Sequence, residues 1–181
     1  MLFRYPEGVG VLYEFLQNAD DARATEVVFR LDKSVYPGAS LLSPKMEAWQ
    51  GPALCVYNNA TFSESDFIAV SRIGQGGKLE RLAATGRFGL GFSAAFHYSD
   101  LPSFASAGSL VFFDPHSAYL PGTTPAQPGL RIAFGGVAEA FPDQVAPFCQ
   151  FGCDVRQPFA GTLFRFPLRS EAAAKQSAIK R

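Results

Sequence analysis

The sequence has no net charge, few cysteines and no long hydrophobic run, and each shortage excludes a class of protein. Its 16 Lys and Arg balance its 16 Asp and Glu, so no basic field is available for nucleic acid or for an anionic membrane. No window approaches the roughly 18 uninterrupted apolar residues of a spanning helix. The N-terminus also lacks an apolar signal core. These absences predict a cytoplasmic protein with no nucleic-acid or membrane partner.

Only three cysteines are present: Cys55, Cys149 and Cys153. An odd number fits reduced thiols in an intracellular compartment better than it fits a disulfide framework. Cys149 and Cys153 lie four residues apart, but a metal site would need further ligands, and the chain has only two histidines. We therefore expect buried structural thiols rather than a metal site.

Hydrophobic residues, by contrast, are plentiful. They make up 48% of the 181 residues and include 18 Phe, which is enough for one folded domain with a sizeable core. We expect this domain to span residues 1–170. Residues 171–181 are helical by propensity and would begin a C-terminal helix or a linker to flanking domains of a longer protein.

The predicted helices and strands are interleaved along the chain. Helices are expected over 9–22, over 67–70 behind an N-cap at Ser63, from 92 to 97, and over 141–151 with a break at Pro147. Strands are expected over 25–31, 52–57, 102–107, 109–113, 130–134 and 161–168. Short turns join several pairs of strands. A doubly wound fold would instead need a crossover helix between most of its strands. The pattern favours an α+β two-layer sandwich, with a mixed, mostly antiparallel sheet covered on one face by helices.

The helix over residues 9–22 carries two stripes of different chemistry. Glu14, Asn18 and Asp21 are spaced by four and then three residues, so they stack on one side. The opposite side is apolar: Leu12, Phe15, Leu16 and Ala19. No Lys or Arg neutralises the polar stripe. From the helix alone, a solvated acidic face and a functional site explain the stripe equally well.

A glycine-rich run far downstream favours the functional explanation. Gly86, Gly89 and Gly91 are interleaved with Phe88 and Phe92, and such a loop lets backbone N–H groups approach phosphates. The preceding residues 71–86 hold four glycines and little periodicity, which is typical of a mobile cover. The stripe and the loop together predict an ATP site. Mg²⁺ prefers hard oxygen ligands, which the Asn18 amide provides, and Glu14 is placed to orient or deprotonate water.

Five stretches carry a family resemblance. They read EFLQNADDA at 14–22, QGPALCVYNNATFSESD at 50–66, TGRFGLGFSAAFHYSDLPSFAS at 85–106, FFDP at 112–115 and GTLFRFPLR at 161–169. The chain resembles the GHKL (Bergerat-fold) ATPases, and within that group it looks most similar to the sacsin-like domains. The resemblance implies a Bergerat fold that binds ATP and Mg²⁺, with slow or conditional hydrolysis. It also implies a chaperone role in protein folding or quality control, with client or co-chaperone proteins as partners.

The resemblance also implies a role for individual residues. Glu14 matches the water-activating glutamate, Asn18 the magnesium-binding asparagine, and Thr162 the threonine that helps hold a base-recognising water. Asp21 and Ala22 match positions in the wall of the site. The lid and the phosphate loop would contribute further cofactor-binding residues: Ile73, Gly74, Lys78, Gly86, Arg87, Phe88, Gly89, Leu90, Gly91 and Phe92.

One segment departs from the family pattern. An aspartate in an Asp-x-Gly run after the second strand usually accepts a hydrogen bond from the adenine amino group, but this chain has Tyr57-Asn58-Asn59-Ala60 there. Asn58 could accept through its amide oxygen. The bond would then be neutral rather than charge-assisted, which weakens recognition by ~1 kcal/mol.

Two other functions compete with an ATP-dependent chaperone domain. One is a degenerate GHKL fold that turns over nothing and serves as a protein-interaction module; the altered Asn58 segment favours it, whereas Glu14 and Asn18 oppose it. The other is a GHKL kinase, for which no phosphoacceptor histidine segment is visible. A DNA topoisomerase or repair role would require a basic surface that the net charge does not offer.

Overall fold

Six strands form one sheet in the computed structural model, which describes residues 10–71 and 95–176. In chain order they are β1 (Val27–Asp32), β2 (Ala53–Asn58), β3 (Ser103–Ala107), β4 (Ser109–Phe113), β5 (Gly129–Ala133) and β6 (Phe159–Pro167). Their order across the sheet is β1-β2-β6-β3-β4-β5, and every pairing in it is antiparallel. The α+β class and the antiparallel sheet are confirmed. The last strand in sequence lies inside the sheet, between β2 and β3.

Five helices are interspersed among the strands of the described residues, although β3, β4 and β5 follow one another with no helix between them. The helices are α1 (Gly10–Asp21), α2 (Glu64–Ser71), α3 (Gly136–Ala140), α4 (Pro142–Val145) and α5 (Glu171–Gln176). Three 3-10 turns accompany them at Pro44–Trp49, Ala95–His97 and Ala146–Phe148. The break predicted at Pro147 is confirmed, because α4 stops at Val145 and a 3-10 turn follows. Among the described residues, no helix has the length and apolar character needed to cross a membrane.

The helix α1, the longest among the described residues, packs on one face of the sheet through an aromatic core. The Phe15 ring lies 5.4 Å from the Phe164 ring and 4.9 Å from the Phe166 ring of β6. Nearby, the Phe62 and Phe104 rings are 4.7 Å apart. These side chains are at most 7% exposed, so the contact fixes α1 against the centre of the sheet.

The apolar stripe of α1 differs from the predicted one by one position. Val11, Phe15 and Ala19 are buried, whereas Leu16, which we expected on the same face, is 48% exposed. Spacings of four place the three buried residues in one row, and Leu16 lies a further 100° around the helix. The prediction for Leu16 was therefore wrong.

The opposite face of the sheet is also covered, by short helices and by the 33–51 connection. Cys55, Leu110 and Leu163 of the sheet belong to a core that includes Trp49 and Phe148. Cys55 and Cys153 are buried thiols as expected, and burial raises the pKa of each to about 11. The expectation was wrong for Cys149, which is exposed and directly follows the 3-10 turn Ala146–Phe148.

A buried carboxylate fixes the end of β1 on that second face. Asp32 is 3% exposed and accepts hydrogen bonds from the Tyr36 hydroxyl at 2.6 Å, the Ser34 N–H at 3.0 Å and the Gln150 amide at 3.0 Å. Burial by itself raises the pKa of Asp32, but the donated hydrogen bonds outweigh it and lower the pKa from 3.8 to about 2. The folded state therefore favours the ionised carboxylate.

This shift predicts an acid-dependent loss of stability. A pKa that is lower in the folded than in the unfolded chain stabilises the fold above pH 5, and the contribution is lost as pH falls through 3.8 towards 2. It amounts to about 2 kcal/mol. Urea unfolding at stepped pH should therefore show that Asp32→Asn is less stable than wild type at pH 7 and that the difference disappears near pH 2. Asp20→Asn, a change to an exposed carboxylate of α1, is the matched control, and a wild-type pH profile for Asp32→Asn would contradict the assignment.

Candidate functional site

A cavity of about 280 Å³ opens between the C-terminal end of α1, the end of β2 and the start of α2. Its lining residues are Ala22, Asn58, Ala60, Thr61, Phe62, Ser63, Asp66 and Thr162. Drug-sized ligands occupy pockets of roughly 300–1,000 Å³. The cavity is therefore large enough for a single heterocyclic ring system, while the rest of a larger ligand would extend outside it.

The polar stripe of α1 runs directly towards this cavity. Glu14, Asn18 and Ala22 follow one another at spacings of four, and Ala22 lines the cavity wall. At a rise of 1.5 Å per residue, Glu14 lies about 12 Å along the helix axis from Ala22. This distance is on the scale that separates the base of a nucleotide from its terminal phosphate.

The exposed fractions of the side chains along α1 argue against the explanation that the polar stripe is only a solvated acidic face. Glu14 and Asn18 are half-buried, yet Tyr13 is 67% and Leu16 is 48% exposed. A helix selected only for packing would place the aromatic and the leucine inward and the carboxylate outward. Glu14 forms no hydrogen bond or ion pair with any described residue, so its carboxylate is available to a ligand. Asp21, the third predicted member of the stripe, is exposed.

Two predicted residues form one wall of the cavity. Asn58 of β2 and Thr162 of β6 are direct partners across the ladder, and they are 6% and 1% exposed. The Thr162 hydroxyl donates to the Ala60 carbonyl at 2.8 Å and lies 2.9 Å from the Ser106 hydroxyl. Ser106 in turn accepts from the Phe62 N–H at 3.0 Å. This network holds the loop after β2 against the sheet.

The Asn58 amide is oriented by the same loop. Its Oδ1 accepts a hydrogen bond from the Ala60 N–H at 3.0 Å, so the oxygen that we expected to face an adenine amino group already has a donor. Its Nδ2 forms no hydrogen bond within residues 10–71 and 95–176. The oxygen keeps a second lone pair, so both the amino group and the carbonyl of the side chain can still meet a ligand.

Asp66 lines the cavity but was not predicted as a site residue. The Ser63 N–H and hydroxyl donate to its Oδ2 at 2.8 and 2.6 Å, which is the capping arrangement at the start of α2. Its Oδ1 has no hydrogen bond to the described part of the chain. The Ser63-x-x-Asp66 spacing indicated a helix start, but it gave no sign that Asp66 borders a cavity.

The side chains of this site suit a Mg²⁺ ion that would be coordinated partly by the protein and partly by phosphate oxygens. The described residues contain no group of three or more His, Cys, Asp or Glu that could enclose a metal ion. They do place one amide and one carboxylate, those of Asn18 and Glu14, one helical turn apart on a half-buried stripe. Mg²⁺ usually takes only one or two protein groups and completes its shell with water and phosphate oxygens.

The remaining predicted site residues lie outside the described ranges. They belong to the 71–86 lid and to the glycine-rich loop, namely Ile73, Gly74, Lys78, Gly86, Arg87, Phe88, Gly89, Leu90, Gly91 and Phe92. Their roles stay predictions. The described structure brings together Glu14, Asn18, Ala22, Asn58 and Thr162 along one path from α1 to the sheet.

Known proteins resemble this chain over its whole length. Residues 1–181 match a family model described as the Sacsin domain. A human protein named Sacsin is 39% identical over 188 residues, an alignment that covers 99% of this chain. The chain spans about 4% of the length of that relative.

Proposed function

The chain belongs to the Sacsin domain family, and from this premise we propose that it binds ATP with Mg²⁺, the nucleotide and metal that its GHKL resemblance implies. Slow or conditional hydrolysis would follow from the same site. The nucleotide would serve a chaperone-type role, in which the domain acts on client proteins together with flanking domains.

One structural observation is the main support for this proposal. The half-buried row of Glu14, Asn18 and Ala22 leads from a carboxylate, through an amide, to a cavity with buried polar walls. The base would occupy the cavity, and the phosphates would lie along α1 towards Glu14. A packing role explains neither the half-buried carboxylate nor the exposed aromatic beside it.

Each residue of the row has a distinct task in this arrangement. Asn18 would hold Mg²⁺ through its amide oxygen without adding negative charge beside a triphosphate. The metal, when bound, neutralises developing charge on the phosphate oxygens. Glu14, one turn farther from the cavity, would orient the attacking water and accept its proton.

Replacing Asn18 with Ala should weaken magnesium-dependent nucleotide binding by roughly tenfold or more, because the amide oxygen is the proposed protein ligand of the metal. Titration of a fluorescent ATP analogue with MgCl₂ and with EDTA measures this effect. The loss should appear only with magnesium. Gln17→Ala removes an exposed amide from the same helix and should bind like wild type.

The same titration tests the proposed function itself. Absence of binding by the wild-type chain at millimolar nucleotide would contradict the proposal and favour the protein-interaction module. Equal weakening of Asn18→Ala in MgCl₂ and EDTA would mean that Asn18 contributes to packing rather than to the metal site.

A further inference from the structure

We propose that two copies of this chain pair through the open edge of β1 and join their sheets into one. β1 is the first strand of the sheet, and among the described residues it pairs only with β2. Its other side can therefore accept a further strand, a mode of binding that exposed sheet edges commonly use. The proposal concerns the edge of the sheet rather than the cavity at the end of β2, so it does not rest on nucleotide binding.

Alternate residues of β1 direct their backbone groups to this open edge. The Asn59 N–H donates to the Glu26 carbonyl at 3.4 Å, and the register of β1 with β2 makes these two residues direct partners. In an antiparallel ladder the hydrogen-bonded pairs recur at every second residue. The even-numbered residues of β1 therefore bond to β2, whereas the N–H and C=O groups of Val27, Phe29 and Leu31 point away from it.

The edge residues carry apolar side chains that lie on the same face of the sheet as α1. Phe29 is the direct partner of Val56, and Leu31 is the direct partner of Leu54. Val56 belongs to the core beneath α1, and Leu54 packs against that core. Phe29 is nevertheless 38% exposed, and Leu31 is 54% exposed. The apolar face of the sheet therefore extends to the edge and stays uncovered there.

The opposite edge of the sheet, β5, has a different character. Its outward residues are Gly129, Arg131 and Ala133, because the Asp114 N–H donates to the Pro128 carbonyl at 2.8 Å and sets the alternation. A charge within an edge strand and a proline just before it are common protections against pairing with another chain. β1 has apolar residues at all of its outward positions, so it is the edge suited to a partner strand.

The charges beside the edge indicate that the partner is a second copy. Glu26 and Arg30 are both exposed, and they lie with Val28 on the face opposite α1. Neither forms an ion pair with a described residue. When two β1 strands run antiparallel about a two-fold axis at Val28, Glu26 of each copy lies directly opposite Arg30 of the other. The same register places Val27 opposite Phe29 of the other copy, on the apolar face.

The other two-fold registers are less favourable. An axis at Phe29 places Glu26 opposite Asp32 of the other copy, and an axis at Arg30 places the two Arg30 side chains opposite each other. An axis at either end of the strand pairs only a few residues. Opposite charges in direct cross-strand pairs stabilise a sheet, whereas like charges destabilise it. One register therefore makes the chain complementary to itself.

Sedimentation velocity over a range of protein concentrations tests the proposal. The wild-type chain should show a reversible monomer–dimer equilibrium. Arg30→Glu and Glu26→Arg each create two pairs of like charges, so each should weaken dimerisation by about tenfold or more. The double variant restores opposite charges and should dimerise like wild type. Wild-type affinity in both single variants would overturn the register, and a monomeric wild type at millimolar protein would overturn the proposal and leave the edge to a strand of a different protein.

Amide hydrogen exchange, followed residue by residue, locates the contact. The Val28 and Arg30 N–H groups are already bonded to β2, whereas those of Val27 and Phe29 point outward. Raising the protein concentration should therefore slow exchange at Val27 and Phe29 in proportion to the dimer formed, and it should leave Val28 and Arg30 unchanged. A dimer that does not protect Val27 and Phe29 would overturn pairing through β1.

Two lysine substitutions separate strand pairing from general apolar association. Phe29→Lys places a charge at an outward position of the edge and should abolish dimerisation. Val35→Lys adds the same charge beyond the end of β1, at a side chain that is 78% exposed, and should dimerise like wild type. Thermal melting establishes that each variant is folded. Dimerisation of folded Phe29→Lys would overturn the proposal, whereas ATP titration of Arg30→Glu should match wild type, because the proposed function does not depend on this edge.

Discussion

Replacing Arg169 with Met is expected to lower the free energy of unfolding by about 3–5 kcal/mol, the usual cost of breaking a buried ion pair. The Arg169 and Asp100 side chains are only 5% and 6% exposed. The guanidinium donates to the Asp100 carboxylate at 2.8 Å and to the His97 and Phe96 carbonyls at 2.7 and 2.6 Å. Methionine fills a similar volume and supplies none of these hydrogen bonds. Urea unfolding at neutral pH measures the loss.

Arg156→Met is the matched control, because Arg156 is exposed and the same substitution there should cost less than about 0.5 kcal/mol. A similar small cost at Arg169 would show that this contact contributes little to the fold. The contact matters for the site because it holds the 95–100 segment, which follows the glycine-rich loop along the chain, against the end of β6.

Local pattern predicted most elements of this fold but not their arrangement. The six strands were expected within one or two residues at most ends, because β-branched and aromatic runs bounded by turn residues are local signals. The position of β6 between β2 and β3 depends on pairings such as Asn58 with Thr162, more than 100 residues apart in sequence. No local sequence pattern indicates a pairing between strands that lie so far apart in the sequence. The short α3 after Gly135 was missed because five residues carry no helical periodicity.

The candidate site was predictable only where residue type sufficed. Glu14 and Asn18 were identifiable because a carboxylate and an amide one helical turn apart suit magnesium and water chemistry. The direction of the Asn58 amide was not predictable, since it depends on where the Ala60 N–H lies after the chain turns. Asp66 was missed for a related reason: its capping role was evident, but the cavity beside it forms only when α2 and the sheet come together.

Replacing Glu14 with Ala should reduce turnover of the bound nucleoside triphosphate by ~100-fold or more, the scale for losing a general base. Affinity should stay nearly unchanged or improve, because a carboxylate near the phosphates is removed. Glu14 has no hydrogen bond or ion pair among the described residues, so the change should not disturb packing. Single-turnover hydrolysis of ATP with protein in excess measures a slow rate directly.

Asp20→Ala separates catalysis from charge, because it removes an exposed carboxylate from the same helix. If Glu14 only adds negative potential, the two variants should change turnover and affinity alike. If Glu14 orients the water, only Glu14→Ala loses turnover while both variants still bind. Equal turnover by wild type and Glu14→Ala would mean that the half-buried stripe of α1 binds nucleotide without catalysing hydrolysis, and absence of turnover in the wild type would favour a non-hydrolysing module.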